Sequence, residues 1–236
     1  MKEVIGTIDH RILLNFRIAP EVMTAELPPE FQPKLVNGYA IGGICQVSLS
    51  QMRPKGVPAL VTARSHNAAH RVAVLSSQGE GVFVLRRDTG SRLNALTGGR
   101  IFPGVYSKAD FQVESADDRY VVKITDGNNR SLMHIDATVS NTLPKESVFE
   151  DTKAVSDFFK GGNVGWSKRN GGGFDAIELV TPDWDMSPMF ISEAYSAYFS
   201  NNDLFPPGSV EFDSAMIMRN LQHSWVTREE LCEICC

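Results

Sequence analysis

The sequence predicts a mainly β, α+β protein whose largely antiparallel strands close into a barrel or cone. Three observations predict it. Nine segments carry strand patterning, Gly-, Asp-, Asn- and Ser-rich turns bound them, and only three stretches read as helical. A chain of 236 residues is ordinary for one β-rich barrel and long enough to bury a sizeable core. Short connections between most elements favour closure over an open sheet, and small barrels of this kind can enclose one small ligand.

Taken in order, residues 1–17 (MKEVIGTIDHRILLNFR) carry charges throughout and no continuous apolar run, so no leader peptide is expected. Residues 19–26 (APEVMTAE) read as a short helix that Pro28 and Pro29 end. Strands are expected at 39–49, 68–75, 81–87, 109–115, 119–125 and 131–139. Residues 106–140 read as a three-stranded meander whose turns, ESADDR and TDGNNR, suit left-handed backbone angles. Residues 150–160 read as a helix with Val155, Phe158 and Phe159 on one face and Gly161 as its stop. The glycine-rich 161–173 (GGNVGWSKRNGGG) lacks the phosphate-loop pattern and reads as a mobile surface loop or lid. After a strand at 174–180, residues 188–200 read as a third helix, with Ser187 as cap, Pro188 at its first position and a stripe of Ile191, Ala194, Tyr195 and Tyr198. Strands at 209–219 and 222–227 complete a single domain over 1–236, and 228–236 is expected to be a flexible tail.

Composition narrows the function classes. Hydrophobic residues make up 42% and charged residues 22%, as in globular proteins. A net charge of −5 argues against a nucleic-acid partner. No window approaches the roughly 20 apolar residues of a membrane helix, so a cytoplasmic protein without a membrane partner is expected. Cys45 lies in an apolar strand and reads as a small buried hydrophobe, while Cys232, Cys235 and Cys236 form a terminal CEICC. One C-x-x-C pair falls short of the four ligands of a structural zinc, so neither a metal nor another cofactor is expected.

The unusual chemistry lies in 63–75 (ARSHNAAHRVAVL) and 84–104 (VLRRDTGSRLNALTGGRIFPG). His66, His70, Arg64, Asn67 and Arg71 crowd the first, and Arg86, Arg87, Arg92 and Arg100 the second. Histidine titrates near neutrality, and guanidinium groups grip carboxylate or phosphate through paired hydrogen bonds. The plainer reading is that some of these arginines, Arg92 and Arg100 first, only hold turns. On 210–218, Glu211 and Asp213 stand two apart, so on a regular strand they would share a face and could form an acid/base pair if enclosed. A solvated outer face is the plain alternative. No nucleophile elbow, zinc-binding H-E-x-x-H or dinucleotide fingerprint is present.

The stretches VNGYAIGGIC, SHNAAHRVAV, VLRRDTGSRLNAL, GGRIFPGVY and PPGSVEFDSAMIMRNLQHSW, in this order over about residues 8–226, resemble a family of uncharacterised bacterial proteins grouped with the acetoacetate decarboxylase-like superfamily. The resemblance implies a cone-shaped antiparallel β-barrel with a flanking sheet, about three helices and a central pocket. In the decarboxylases a lysine forms an imine with a β-keto acid, a neighbouring lysine lowers its pKa, and a glutamate on an adjacent strand assists. Arg86 and Arg87 occupy the positions of that lysine pair, and the glutamate falls near His66 or Asn67. A guanidinium stays protonated and is a poor amine nucleophile, so imine chemistry is not expected there.

Three readings follow. The first is a lyase or hydrolase acting on a carboxylate- or carbonyl-bearing substrate without a Schiff-base lysine. Arg86 and Arg87 would stabilise developing charge, His70, His66 or Glu211 would move a proton, and Arg64, Asn67, Arg71 and Arg100 would bind substrate. The second is a non-catalytic barrel, sensor or carrier, holding a small anionic or carbonyl ligand. The third is an interaction protein with a filled pocket, its arginines paired to Asp88, Asp136 or Asp213. A homo-oligomer is compatible with each. Strand alternation lets only one of Arg86 and Arg87 enter the pocket directly, and the family alignment favours Arg86.

Overall fold

The computed structural model describes residues 3–60, 62–91, 105–169 and 171–228. The chain begins with β1 (Glu3–Ile18), α1 (Pro20–Glu26), the two-residue strands β2 (Gln32–Pro33) and β3 (Leu35–Val36), and β4 (Tyr39–Pro54). It continues through β5 (Ala63–Ser76), β6 (Gly79–Thr89), β7 (Ser107–Lys108), β8 (Asp110–Ala116), β9 (Arg119–Thr125) and β10 (Ser131–Val139). Then come α2 (Thr152–Gly161), β11 (Val164–Lys168), β12 (Phe174–Val180), β13 (Ser187–Ser196) and β14 (Val210–Thr227).

Seven strands close a ring in the order β1-β4-β5-β6-β11-β12-β14, with β14 pairing back onto β1. Every pairing in the ring is antiparallel except β6–β11, a parallel contact of only two residue pairs, Gly165 with Val82 and Trp166 with Phe83. From β14 a flanking sheet runs through β13, β10, β9 and β8. This is the barrel that the strand patterning predicts, with the flanking sheet that the resemblance implies, and β8–β9–β10 is the expected meander. Its turns do use left-handed residues, Asp117 at φ 51° and Asn129 at φ 61°.

Alternation sorts the strand residues into two apolar cores. Leu13, Ile41, Leu49, Ala73, Leu179, Met216 and Met218 share one core with Val155 and Phe159 of α2. That core lies inside the barrel. Asp151 caps α2 by accepting from the Ala154 amide at 2.7 Å. The intervening residues, Ile12, Leu14, Ile44, Val72, Ala215 and Ile217, face outward. They pack under Val122, Ile124, Met133 and Ile135 of the flanking sheet. Strands buried on both faces show no apolar–polar alternation, which is why 214–218 is uniformly buried.

Three expectations are corrected and one strand that the patterning did not mark is added. Residues 188–200 form no third helix: β13 lies there, held on one edge by β10 and on the other by β14, and two helices are present among the described residues. The stretch read as a loop or lid holds a strand: Val164–Lys168 is the ring strand β11, hairpinned to β12. The charged N-terminal stretch is the long ring strand β1. Residues 209–219 and 222–227 are one strand, interrupted by Asn220 at φ 55°. No helix among the described residues is long and apolar enough to cross a membrane.

Candidate functional site

A cavity of about 140 Å³ lies inside the barrel. Apolar side chains make most of its wall, among them Val47, Leu49, Val82, Val84, Ile177, Leu179 and Trp225. Into it come three arginines from three strands: Arg11 of β1, Arg71 of β5 and Arg87 of β6. Asn67, Asn163, Tyr106 and Cys45 complete the polar lining. Among the described residues no carboxylate, histidine or lysine lines it.

Arg71 is the most constrained of the three. It is only 2% exposed. Its Nη2 donates to Asn15 Oδ1 at 2.8 Å, and Asn15 in turn donates to Ser214 Oγ at 3.3 Å. The guanidinium stacks 4.4 Å from the Phe159 ring of α2. Its Nε and Nη1 are buried and have no hydrogen-bond partner. Burial pushes its pKa down to about 10, with Arg11 adding repulsion against a favourable Cys45 interaction, so it stays charged at neutral pH. The close crossing beneath it depends on Gly43, which pairs with both Asn15 and Arg71; a Cβ there would stand 2.0 Å from Leu14 O.

Arg11 has soft partners. Its Nε donates to Cys45 Sγ at 3.2 Å and its Nη1 to Met218 Sδ at 3.7 Å, with the guanidinium 5.5 Å from the Trp184 ring. Sulfur is a weak acceptor, so these contacts leave the charge poorly compensated. Arg87 lies 5.6 Å from the ring of Tyr106, whose phenol is pushed up by burial against the pull of Arg87 and so stays protonated. Asn67 is held by Thr89 Oγ1, which donates to its Oδ1 at 2.7 Å. Asn163 spans to Glu178 Oε1 at 3.1 Å and Leu179 O at 3.2 Å.

Of the residues nominated from sequence, Arg71, Arg87 and Asn67 therefore meet in one cavity. Arg86 does not. Between β5 and β6 the pairing jumps from His70–Arg86 to Arg71–Val84, leaving Leu85 as an extra residue. This bulge re-phases the strand, so Val82, Val84 and then Arg87 point inward. Arg86 points to the opposite face and clamps buried Asp88 through Nε at 3.0 Å and Nη2 at 2.8 Å. It borders a second recess of about 220 Å³ with Glu26, Tyr198 and Lys168, which Arg87 also touches.

The proposed proton carriers also stand elsewhere. His70 is buried against Tyr198 and Phe199, with Nε2 3.4 Å from Ser196 Oγ. His66 is exposed at the far end of β5 and shares a hydrogen bond of 2.8 Å with Ser48 Oγ. Glu211 is exposed and pairs with Arg17 at 2.7 Å. It forms no pair with Asp213, because a bulge opposite Asn15 and Phe16 makes Asp213 the extra residue of β14. Asp213 instead turns inward to accept from the Val148 amide at 2.7 Å and Ser147 Oγ at 3.0 Å. Asp136 is taken by Arg119. Arg64 is exposed and lines neither cavity. Arg92, Arg100 and the CEICC tail lie outside the described residues.

Sequence reasoning missed Arg11, Cys45, Tyr106 and Asn163. Cys45 is no plain core hydrophobe: it is half-buried and opens onto the cavity. The available signal for Arg11 was a charge directly before the apolar run ILL. Among the described residues no cluster of three or more His, Cys, Asp or Glu could hold a metal ion.

A family model described as an uncharacterised conserved protein, DUF2071, matches residues 7–211. No curated protein matches significantly. Solved structures do share the fold at very low identity. An acetoacetate decarboxylase from Legionella pneumophila superposes with a TM-score of 0.59 at 11% identity, over 97% of this chain and 88% of its own. An acetoacetate decarboxylase-like enzyme from Sphingomonas wittichii RW1 gives 0.60 at 10%, over 97% and 91%. The enduracididine biosynthesis enzyme MppR, complexed with pyruvate, gives 0.60 at 8%, over 98% and 89%.

Proposed function

The chain belongs to the DUF2071 family of uncharacterised conserved proteins, and from its site geometry we propose that it binds a small carboxylate-bearing molecule inside the barrel. The observation that carries this reading is Arg71, whose buried guanidinium lines, with Arg11 and Arg87, a cavity whose described lining holds no carboxylate. A buried charge costs several kcal/mol unless something compensates it. A bound carboxylate would compensate it in the planar, two-bonded geometry that guanidinium favours. Arg11 and Arg87 add charge from two other walls. A volume of about 140 Å³ suits a small organic acid and is well below the range for drug-sized ligands. The fold-sharing MppR is described with pyruvate, an acid of this size.

Binding rather than lyase or hydrolase turnover is the reading the geometry favours, because His66, His70 and Glu211 stand outside the cavity. With Arg87 at the inward position of the arginine pair, the carboxylate is gripped by guanidinium groups and no imine forms.

Thermal unfolding in the presence of pyruvate or acetoacetate tests this. Ligand at about a hundred times its Kd should stabilise wild type by about 2.7 kcal/mol. Arg71→Gln should show no shift. Arg86→Ala should keep the shift, although it removes the Arg86–Asp88 ion pair and so lowers the starting stability. Failure of both acids to shift a cooperatively melting wild type, or a shift that survives Arg71→Gln, would overturn the reading.

A further inference from the structure

Cys45 stands in this same cavity, on the inward face of β4. Its Sγ accepts from Arg11 Nε at 3.2 Å. Across β4 and β5, Gly43 pairs with Arg71 and Cys45 with Ala69, so Cys45 and Arg71 are diagonal neighbours lining one wall. Arg71 is 2% exposed and its Nε and Nη1 have no partner. The thiol is therefore set beside a buried guanidinium, within reach of a small molecule whose carboxylate that guanidinium holds.

We propose that Cys45 is a nucleophile that captures small anionic electrophiles held by Arg71. The proposal rests on the anion-binding reading above and adds covalent chemistry to it. With a 2-oxo acid, the thiolate sulfur adds to the carbonyl carbon and a C–S bond forms. The C=O π pair moves to oxygen, which takes up the proton that the thiol released. The product is a thiohemiketal, nothing is oxidised or reduced, and the reverse step frees the acid unchanged.

Iodoacetate and iodoacetamide test it, since they differ chiefly in charge. Each forms a C–S bond to Cys45 and expels iodide. In solution thiolates react faster with the neutral amide, and glutathione in the same tube reports that order. Labelling of the full chain, read at the Cys45 peptide by mass spectrometry, should show the reverse order, with iodoacetate favoured by about tenfold relative to glutathione. Arg71→Gln should return the ratio to that of glutathione. Arg11→Gln, a half-buried site less critical to folding, should do the same, and each variant is first shown to melt cooperatively. A Cys45 that reacts with neither reagent, or whose ratio matches glutathione in wild type, overturns the proposal. The pyruvate-induced thermal shift in Cys45→Ser separates the two failures. If it persists while the labelling preference is missing, anion binding stands and the nucleophile falls; if both are missing, both fall.

Discussion

His70 and Arg86 face each other across β5 and β6, and together they set an acid sensitivity unconnected with the cavity. Burial disfavours the imidazolium of His70 and the Arg86 charge repels it, so its pKa falls to about 3. Its Nδ1 comes within 3.9 Å of Asp88, but this is the approach of a neutral ring to a carboxylate already clamped by Arg86. His10 is lowered to about 4 by burial and by His66, and His223 to about 4 by burial. Unfolded histidine takes up its proton near pH 6.5. Between about pH 4 and 6.5 the unfolded chain thus binds more protons than the folded one, and stability rises with pH across that window. The contribution is complete above pH 6.5 and is lost as pH falls towards the folded values. Urea midpoints should drop steadily from pH 7 to pH 4.5, and the neutral His70→Gln should flatten that slope. An unchanged slope in His70→Gln would mean that His70 does not resist protonation.

At the scale of elements, irregularities in single strands decided what the sequence could reveal. The bulge at Leu85 swaps which arginine of Arg86-Arg87 faces inward, and the bulge at Asp213 separates it from Glu211. A two-residue period cannot announce a bulge, since the extra residue depends on the partner strand. Regular strands behaved differently: Met133, Ile135 and Ala137 of β10 are buried as their spacing predicts. Pro188 after Ser187 imitates a helix start, but pairing on both edges of β13 overrides that local preference. The glycines of 161–173 imitate a loop, yet β11 is admitted to the ring because Gly81 opposite it has no side chain. A Cβ on Gly81 would sit 2.3 Å from Trp166 Cζ3 and 2.5 Å from Val164 O. The second obstacle is backbone and cannot rotate away. Gly81→Ala should therefore cost about 1–3 kcal/mol in urea denaturation, and a neutral result would show that the β6–β11 seam can shift to accommodate the methyl.

Over the whole molecule, the ring is only as closed as its weakest pairing. β1 pairs along nearly its full length with both β4 and β14, whereas β6 and β11 share two residue pairs in parallel register. Parallel pairing is slightly the weaker kind per residue, and a short contact has few hydrogen bonds to break together. Val82 and Gly165, which form half of this seam, also line the cavity. Arg87 on β6 and Arg71 on the neighbouring β5 line the same cavity. On the proposed function, opening at β6–β11 would give a small acid a side route into the cavity besides the ends of the barrel. Hydrogen exchange provides the check. Amides of β11 should exchange at least about tenfold faster than those of central β1, reflecting local opening below the global unfolding free energy. Saturating pyruvate should slow β11 and the facing part of β6 while leaving β1 unchanged, because a ligand gripped by Arg71 and Arg87 favours the closed seam. If β11 is as protected as β1 without ligand, access runs elsewhere and the seam is a structural closure only.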